Sequence, residues 1–295
     1  MSIESVTILR RARPALALWS VLLALLVGRT AAADDRPAEF HALGASLGWS
    51  RLAVLDRGAS DLTYIGHLPT LGLGWELRRG GNIFAVRLRT GIAGPYYAKQ
   101  YRHREFDLID SDLHGTDTIH ADARGVVYTG GLAFTYLRRL LRPEGHRPGV
   151  ALGATLGEDL VYPQGFVTPG LMLAGALSPT FALEQPLGRR GLLTVGVRVP
   201  VLAVVSRMPY HGTVSRPERG LLGGFVSQRT EVESLGRFRQ VQWSIGLQTR
   251  LGRRWLGGLA YEGIYTYDRD PRPLRSVQHS LLVSIAFDFS ARKGN

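Results

Sequence analysis

The sequence predicts an all-β fold, and three observations carry that prediction. Glycine supplies 36 of the 295 residues, well above the roughly 7% of average usage, and no collagen-like period accompanies it. Apolar residues recur with period 2 rather than 3.6 in segment after segment, as they do in strands with two unlike faces. Beyond residue 33 no stretch reaches the length of about 18 consecutive apolar residues that a membrane-spanning helix needs. The chain has no cysteine, which excludes a disulfide scaffold and thiolate chemistry.

The N-terminus reads as a targeting segment. Arg10, Arg11 and Arg13 form a basic start, Ala15 to Val27 is apolar apart from Ser20, and Ala31-Ala32-Ala33 offers a small-residue cleavage site before Asp34. That apolar run has the length of a secretory signal core and is too short to cross a bilayer. Residues 1–33 are therefore expected to be a cleaved signal peptide, and residues 34–295 a single domain. With so few residues between Asp34 and the first alternating segment, no plug domain is expected. The formal charge is +12, and removing four Arg and Glu4 with the signal leaves about +9. In an exported chain that balance suits anionic lipid or polysaccharide phosphates better than nucleic acid.

Ten segments alternate: roughly 38–54, 62–78, 82–97, 125–141, 149–162, 168–184, 190–206, 238–252, 254–268 and 275–289. The last is the clearest, with Leu281, Val283, Ile285, Phe287 and Phe289 on one face. Ser280, Ser284, Ala286 and Asp288 lie on the other, and Leu282 is the one exception. In 240–251 Val241, Trp243, Ile245 and Leu247 oppose Gln240, Gln242, Ser244 and Gln248. In 83–96 Phe84, Val86, Leu88 and Ile92 oppose Ala85, Arg87, Arg89 and Gly91. Long apolar faces that end in aromatics, opposite faces of Gly, Ser, Gln and single charges, form the lipid-facing and lumen-facing dyad of a transmembrane barrel. An antiparallel barrel of about ten strands follows, with eight to twelve possible. Tyr96, Tyr97, Tyr265, Tyr267, Phe287 and Phe289 are expected in its aromatic girdles.

The connections agree with this topology. Arg79–Gly81, Arg142–Pro148, Gln185–Arg189 and Gly252–Arg253 are short, whereas the two long connections, 98–124 and 207–237, fall at the opposite end. Short periplasmic turns and long extracellular loops are the asymmetry of such barrels.

The final strand, HSLLVSIAFDF, together with the leader and the repeated dyads, resembles bacterial outer-membrane β-barrel proteins. VRVPVLAVVSRMPYHG is similar to uncharacterised outer-membrane barrels of this length. The resemblance implies the outer membrane as location, surrounding lipid and lipopolysaccharide, and an assembly machinery that reads the terminal aromatic. This chain adds SARKGN after Phe289.

Candidate chemistry is sparse. Glu76, Arg87, Arg89, Arg198, Arg250, Glu262 and Asp288 are expected to face the lumen as paired charges, because isolated buried charges are costly. A ten-stranded barrel is narrow, since eight strands are already filled by side chains, so an open diffusion pore is not expected. In the 98–124 loop Asp110, Asp112 and Asp117 supply hard oxygens for a cation, with His103, His114 and His120 nearby, but no EF-hand spacing is present. The expectation there is a solvated polar loop and no metal. His279-Ser280 cannot pair as base and nucleophile, because neighbours on a strand face opposite sides. His211, Ser215 and Glu218 lie in a loop where spacing decides nothing. No glycine-rich phosphate motif, zinc spacing or Walker pattern appears, so no cofactor is expected. The expected role is non-enzymatic, structural or surface-interacting through the outer loops with an unidentified extracellular ligand. A narrow transport or solute-binding barrel is the alternative, and a surface hydrolase of omptin-like or lipid-modifying type comes third.

Overall fold

The computed structural model describes residues 40–58, 60–98, 105–112, 115–122, 124–144, 147–164, 171–188, 190–208 and 230–290. The proposed signal segment 1–33 lies outside them. The strands are β1 (Phe40–Asp56), β2 (Thr63–Arg79), β3 (Asn82–Ala98), β4 (Glu105–Asp112), β5 (Gly115–Asp122), β6 (Gly125–Leu141) and β7 (Gly149–Gln164). They continue with β8 (Leu171–Leu187), β9 (Gly191–Arg198), β10 (Leu202–Met208), β11 (Thr230–Ser234), β12 (Phe238–Arg250), β13 (Trp255–Asp268) and β14 (Leu274–Asp288).

All pairings are antiparallel, and the sheet closes on itself. From β1 the order runs β2, β3, β6, β7, β8, β9, β12, β13, β14 and back to β1. That gives ten staves, because β9 with β10 and β11 with β12 are two staves interrupted midway. Pro200 explains the first interruption: it has no N–H for the ladder, while Val199 and Val201 donate to Pro179 and Leu177 on β8. The second is a turn closed by the Arg237 N–H on the Ser234 carbonyl.

The registers fix the tilt. One row of directly opposed residues runs His67, Arg51, His279, Gly263, Trp243, Val197, Phe181, Leu152, Arg138, Asn82 and returns to β2 at Arg79. His67 and Arg79 are twelve residues apart, so the barrel combines ten staves with a shear of twelve, consistent with strands inclined by about 40°.

The polarity of the two faces is inverted relative to a water-soluble sandwich. Leu47 and Val283 are each 62% exposed and are surrounded on the outer face by Leu43, Leu71, Leu73 and Ile285. In water so large an apolar surface would drive association, whereas in lipid it carries no penalty. Aromatic pairs gird one end: His41 with Trp75 and Phe289, Phe84 with Tyr136, and Trp255 with Phe287. At that same end the chain turns tightly, most sharply at Gly80-Gly81, whose φ values of +58° and +90° suit the twist of a two-residue hairpin. Phe40 and Ser290 lie there too, tied by the Phe289 N–H on the His41 carbonyl at 2.7 Å. This end is the periplasmic one.

Three expectations are corrected. The 98–124 connection is not simply a polar loop, because β4 and β5 form a separate two-stranded hairpin. The 207–237 connection is shorter than expected, since β10 runs to Met208 and β11 returns at Thr230. Tyr96 is not part of an outer girdle. Parity from Phe84 to Ile92 would aim it outward, but a bulge between Ala93 and Tyr96 adds one residue to β3. An added residue swaps the faces beyond it, so Tyr96 points inward at 0% exposure and Tyr97, opposite Ile65, is only 8% exposed.

Candidate functional site: a plugged lumen

The outer half of the lumen is filled. Leu52 and Val54 of β1, Leu68 of β2, Tyr96 of β3, Val127 of β6, Phe238 of β12 and Leu274 of β14 are buried against one another, with alanines of β8 and β10 between them. Tyr64 and Tyr96 pack with ring centroids 5.6 Å apart. Below this apolar layer a hydroxyl ladder crosses three staves: Ser50 bonds Thr70 and Ser280, each at 2.6 Å.

Above the layer, at the outer mouth, Arg207 spans the lumen. Its guanidinium donates to Asp56 at 2.5 Å, to Asp268 at 3.2 Å and to the Asp270 carbonyl at 2.7 Å. Arg207 is 3% exposed and the two aspartates are more deeply buried. Two carboxylates and a carbonyl thus hold one guanidinium across strands distant in sequence.

The periplasmic half encloses a cavity of about 380 Å³, whose lining includes Glu76, Arg87, Arg89, Arg198 and Glu262. Arg89 donates to Glu262 at 2.8 Å, and Arg87 lies 4.0 Å from the same carboxylate. The Arg87 side chain is 62% exposed, into that cavity. Arg198 donates to Gln242 at 2.7 Å, and Gln242 in turn donates to Asp159 at 2.8 Å. Nearer the periplasm Glu76 pairs with Arg78. Glu184, 2% exposed, accepts from both Arg78 and Arg139 at 2.8 Å. Arg250 and Asp288 stand apart from this network and bond to each other at 3.3 Å.

Sequence reading placed Gln240 and Gln242 on the polar face but missed Arg207, Asp56, Asp268, Arg78, Arg139, Glu184 and Asp159. Their parity along each strand would have found most of them; the Pro200 break hid Arg207. Of the remaining girdle residues, Tyr265 and Tyr267 lie toward the outer end of β13. Phe287 and Phe289 lie at the periplasmic end, with ring centroids 5.0 Å apart. His279 faces outward and accepts or donates at Nδ1 with the Tyr261 hydroxyl at 2.7 Å, whereas Ser280 faces inward onto Ser50. His211, Ser215 and Glu218 lie outside the described residues. The hairpin register sets Asp110 opposite Asp117 and Asp112 opposite Gly115. Among the described residues no group of three or more His, Asp or Glu side chains is arranged to hold a metal.

Ten closed staves, an apolar outer face with aromatic bands, and short turns opposite long loops define the class: a transmembrane β-barrel of the bacterial outer-membrane type. No family model matches the sequence, and no curated protein does. Among solved structures, the outer-membrane protease OmpT of Escherichia coli is similar with 8% identity and a TM-score of 0.43, over 85% of this chain and 96% of that one. The translocator domain of the autotransporter NalP from Neisseria meningitidis has 13% identity and a TM-score of 0.38, over 97% and 98%. Ail, the attachment invasion locus protein of Yersinia pestis, has 11% identity and a TM-score of 0.27, over 84% and 99%.

Proposed function

We propose that this chain is a closed, non-conducting barrel that acts at the cell surface through its outer loops. The filled outer half of the lumen carries the reading: Leu52, Leu68, Tyr96, Phe238 and Leu274 are buried against one another beneath the Arg207 bridge. What remains available for recognition is outside. The hairpin 105–122 contains Glu105, Asp107, Asp110, Asp112, Asp117 and Asp122 and no Lys or Arg, while segment 209–229 contains Arg216, Arg219 and Arg229 against Glu218. Opposite charges on the two connections suit ligands of two signs, with lipopolysaccharide phosphates among the anionic ones. The same reading includes cleavage of residues 1–33 and recognition of the last strand by the barrel assembly machinery.

Binding of heparin and of polylysine to the folded protein, its 209–229 deletion and its 105–122 deletion tests this. The first deletion is expected to lose heparin binding and the second polylysine binding, with the heat-dependent gel mobility of a folded barrel kept in both. Unchanged binding by both deletions contradicts the proposal. A second reading has one specific observation behind it, the exposed Arg87 in the periplasmic cavity, which suits a small anionic solute entering from the periplasm. Loss of phosphate binding in Arg87→Gln would support it.

A further inference from the structure

We propose that the barrel associates laterally with copies of itself, head to tail, through Glu158 on one side and the Arg51–His67 pair on the other. Glu158 lies on the outward face of β7 and is exposed there, opposite Leu132 on β6 and Gly175 on β8. Leu156 and Leu177, both exposed, flank it. It is the only outward-facing carboxylate within the apolar band among the described residues, and no described cation pairs with it. Ionisable groups at such positions are rare and usually face a partner.

A cationic partner surface exists on the same molecule, on another side. Arg51 faces outward on β1, directly opposite outward-facing His67 on β2 and His279 on β14. No described carboxylate pairs with Arg51 or His67. The depths match. The row through Arg51 reaches β7 at Leu152 after six strand steps. A shear of twelve over ten staves lowers it by about seven residues on the way. Glu158, six residues further out than Leu152, recovers nearly all of that fall. Beside Glu158, a Cβ on Gly175 would meet nothing within 4 Å, which leaves a notch for an approaching guanidinium.

β7 and β1 are four staves apart around the barrel. A two-fold pair buries the same patch on both copies and could not match Glu158 with Arg51 twice. The contact is therefore heterologous, and repetition extends it into rows or large rings in the membrane plane.

Because the chain has no cysteine, disulfide trapping tests this cleanly. Trp49→Cys and Leu156→Cys replace residues just below Arg51 and Glu158, 54% and 57% exposed on the same outward faces. Oxidised in isolated outer membranes, the double variant is expected to give a ladder of covalent oligomers, and each single variant only monomer. Adding Glu158→Gln should lower the ladder yield roughly tenfold, and Glu158→Arg combined with Arg51→Glu should restore it. No ladder from a double variant that keeps its heat-dependent mobility would overturn the proposal, as when lipid phosphates saturate the Arg51 row. So would a ladder indifferent to Glu158→Gln, or self-dimers from either single variant.

Discussion

Arg207, on the tenth strand, donates to Asp56, at the end of the first, over 2.5 Å and across 151 residues of sequence. Asp268 accepts from the same guanidinium, so three staves that are far apart in the chain meet at the outer mouth. Burying one cation between two carboxylates is stable only while the set is complete, and removing a partner from a buried pair costs about 3–5 kcal/mol. Arg207→Met is accordingly expected to lower the free energy of unfolding in urea by that amount, followed by the loss of heat-dependent mobility. Adding Asp56→Asn should cost less than the two changes separately, since it removes a charge that Arg207→Met leaves unpaired.

Glu184 holds Arg78 and Arg139 together at the other end of the lumen. Glu184→Gln takes the paired carboxylate from Arg139 and leaves Arg78 with Glu76 alone, and is expected to destabilise by a similar figure of about 3–5 kcal/mol, measurable by the same urea titration. Gln185→Glu, with its side chain on the neighbouring outward position, should not rescue it.

Tyr96 and Phe238 are the largest fully buried side chains of the apolar layer, each at 1% exposure or less. Truncating a buried aromatic costs about 3–5 kcal/mol, and here it also removes the barrier. Tyr96→Ala with Phe238→Ala should give a folded but less stable barrel that passes current in a planar bilayer.

Gly263 faces lipid beneath the indole of Trp243, and a Cβ there would come within 2.1 Å of the ring. Gly263→Ala must displace the indole from its seat, at a cost of about 1–3 kcal/mol. The checks are the stability and the tryptophan fluorescence of a variant in which Trp49, Trp75 and Trp255, the other tryptophans beyond residue 33, are replaced by phenylalanine, where the emission of Trp243 is expected to shift.

Most of the architecture was legible in the sequence because period-2 alternation is a property of the strand itself. The ten staves follow the alternating segments closely, and even Leu282, the odd apolar residue on the polar face of the last strand, turns out to face the lumen at 7% exposure. What was not legible depends on breaks in that alternation. The bulge at Gly94-Pro95 reversed Tyr96 and supplied the centre of the plug. The break at Pro200 swaps the faces beyond it, and the alternating segment 190–206 stops one residue short of Arg207, which falls into the 207–237 connection. Ion pairs such as Arg78–Glu184 join residues 106 apart, and only the closed register brings them together. Glu158, adjacent to inward-facing Asp159, could not be assigned its side before the register of β7 was known.

The ionic conductance of the refolded chain in a planar bilayer tests the closed-lumen account most directly. The protein, shown to be folded by its heat-dependent mobility, is predicted to add no discrete current steps, whereas the Tyr96→Ala, Phe238→Ala variant adds them. Regular current steps from the unaltered chain would contradict the account, because the apolar layer beneath Arg207 would then not seal the barrel.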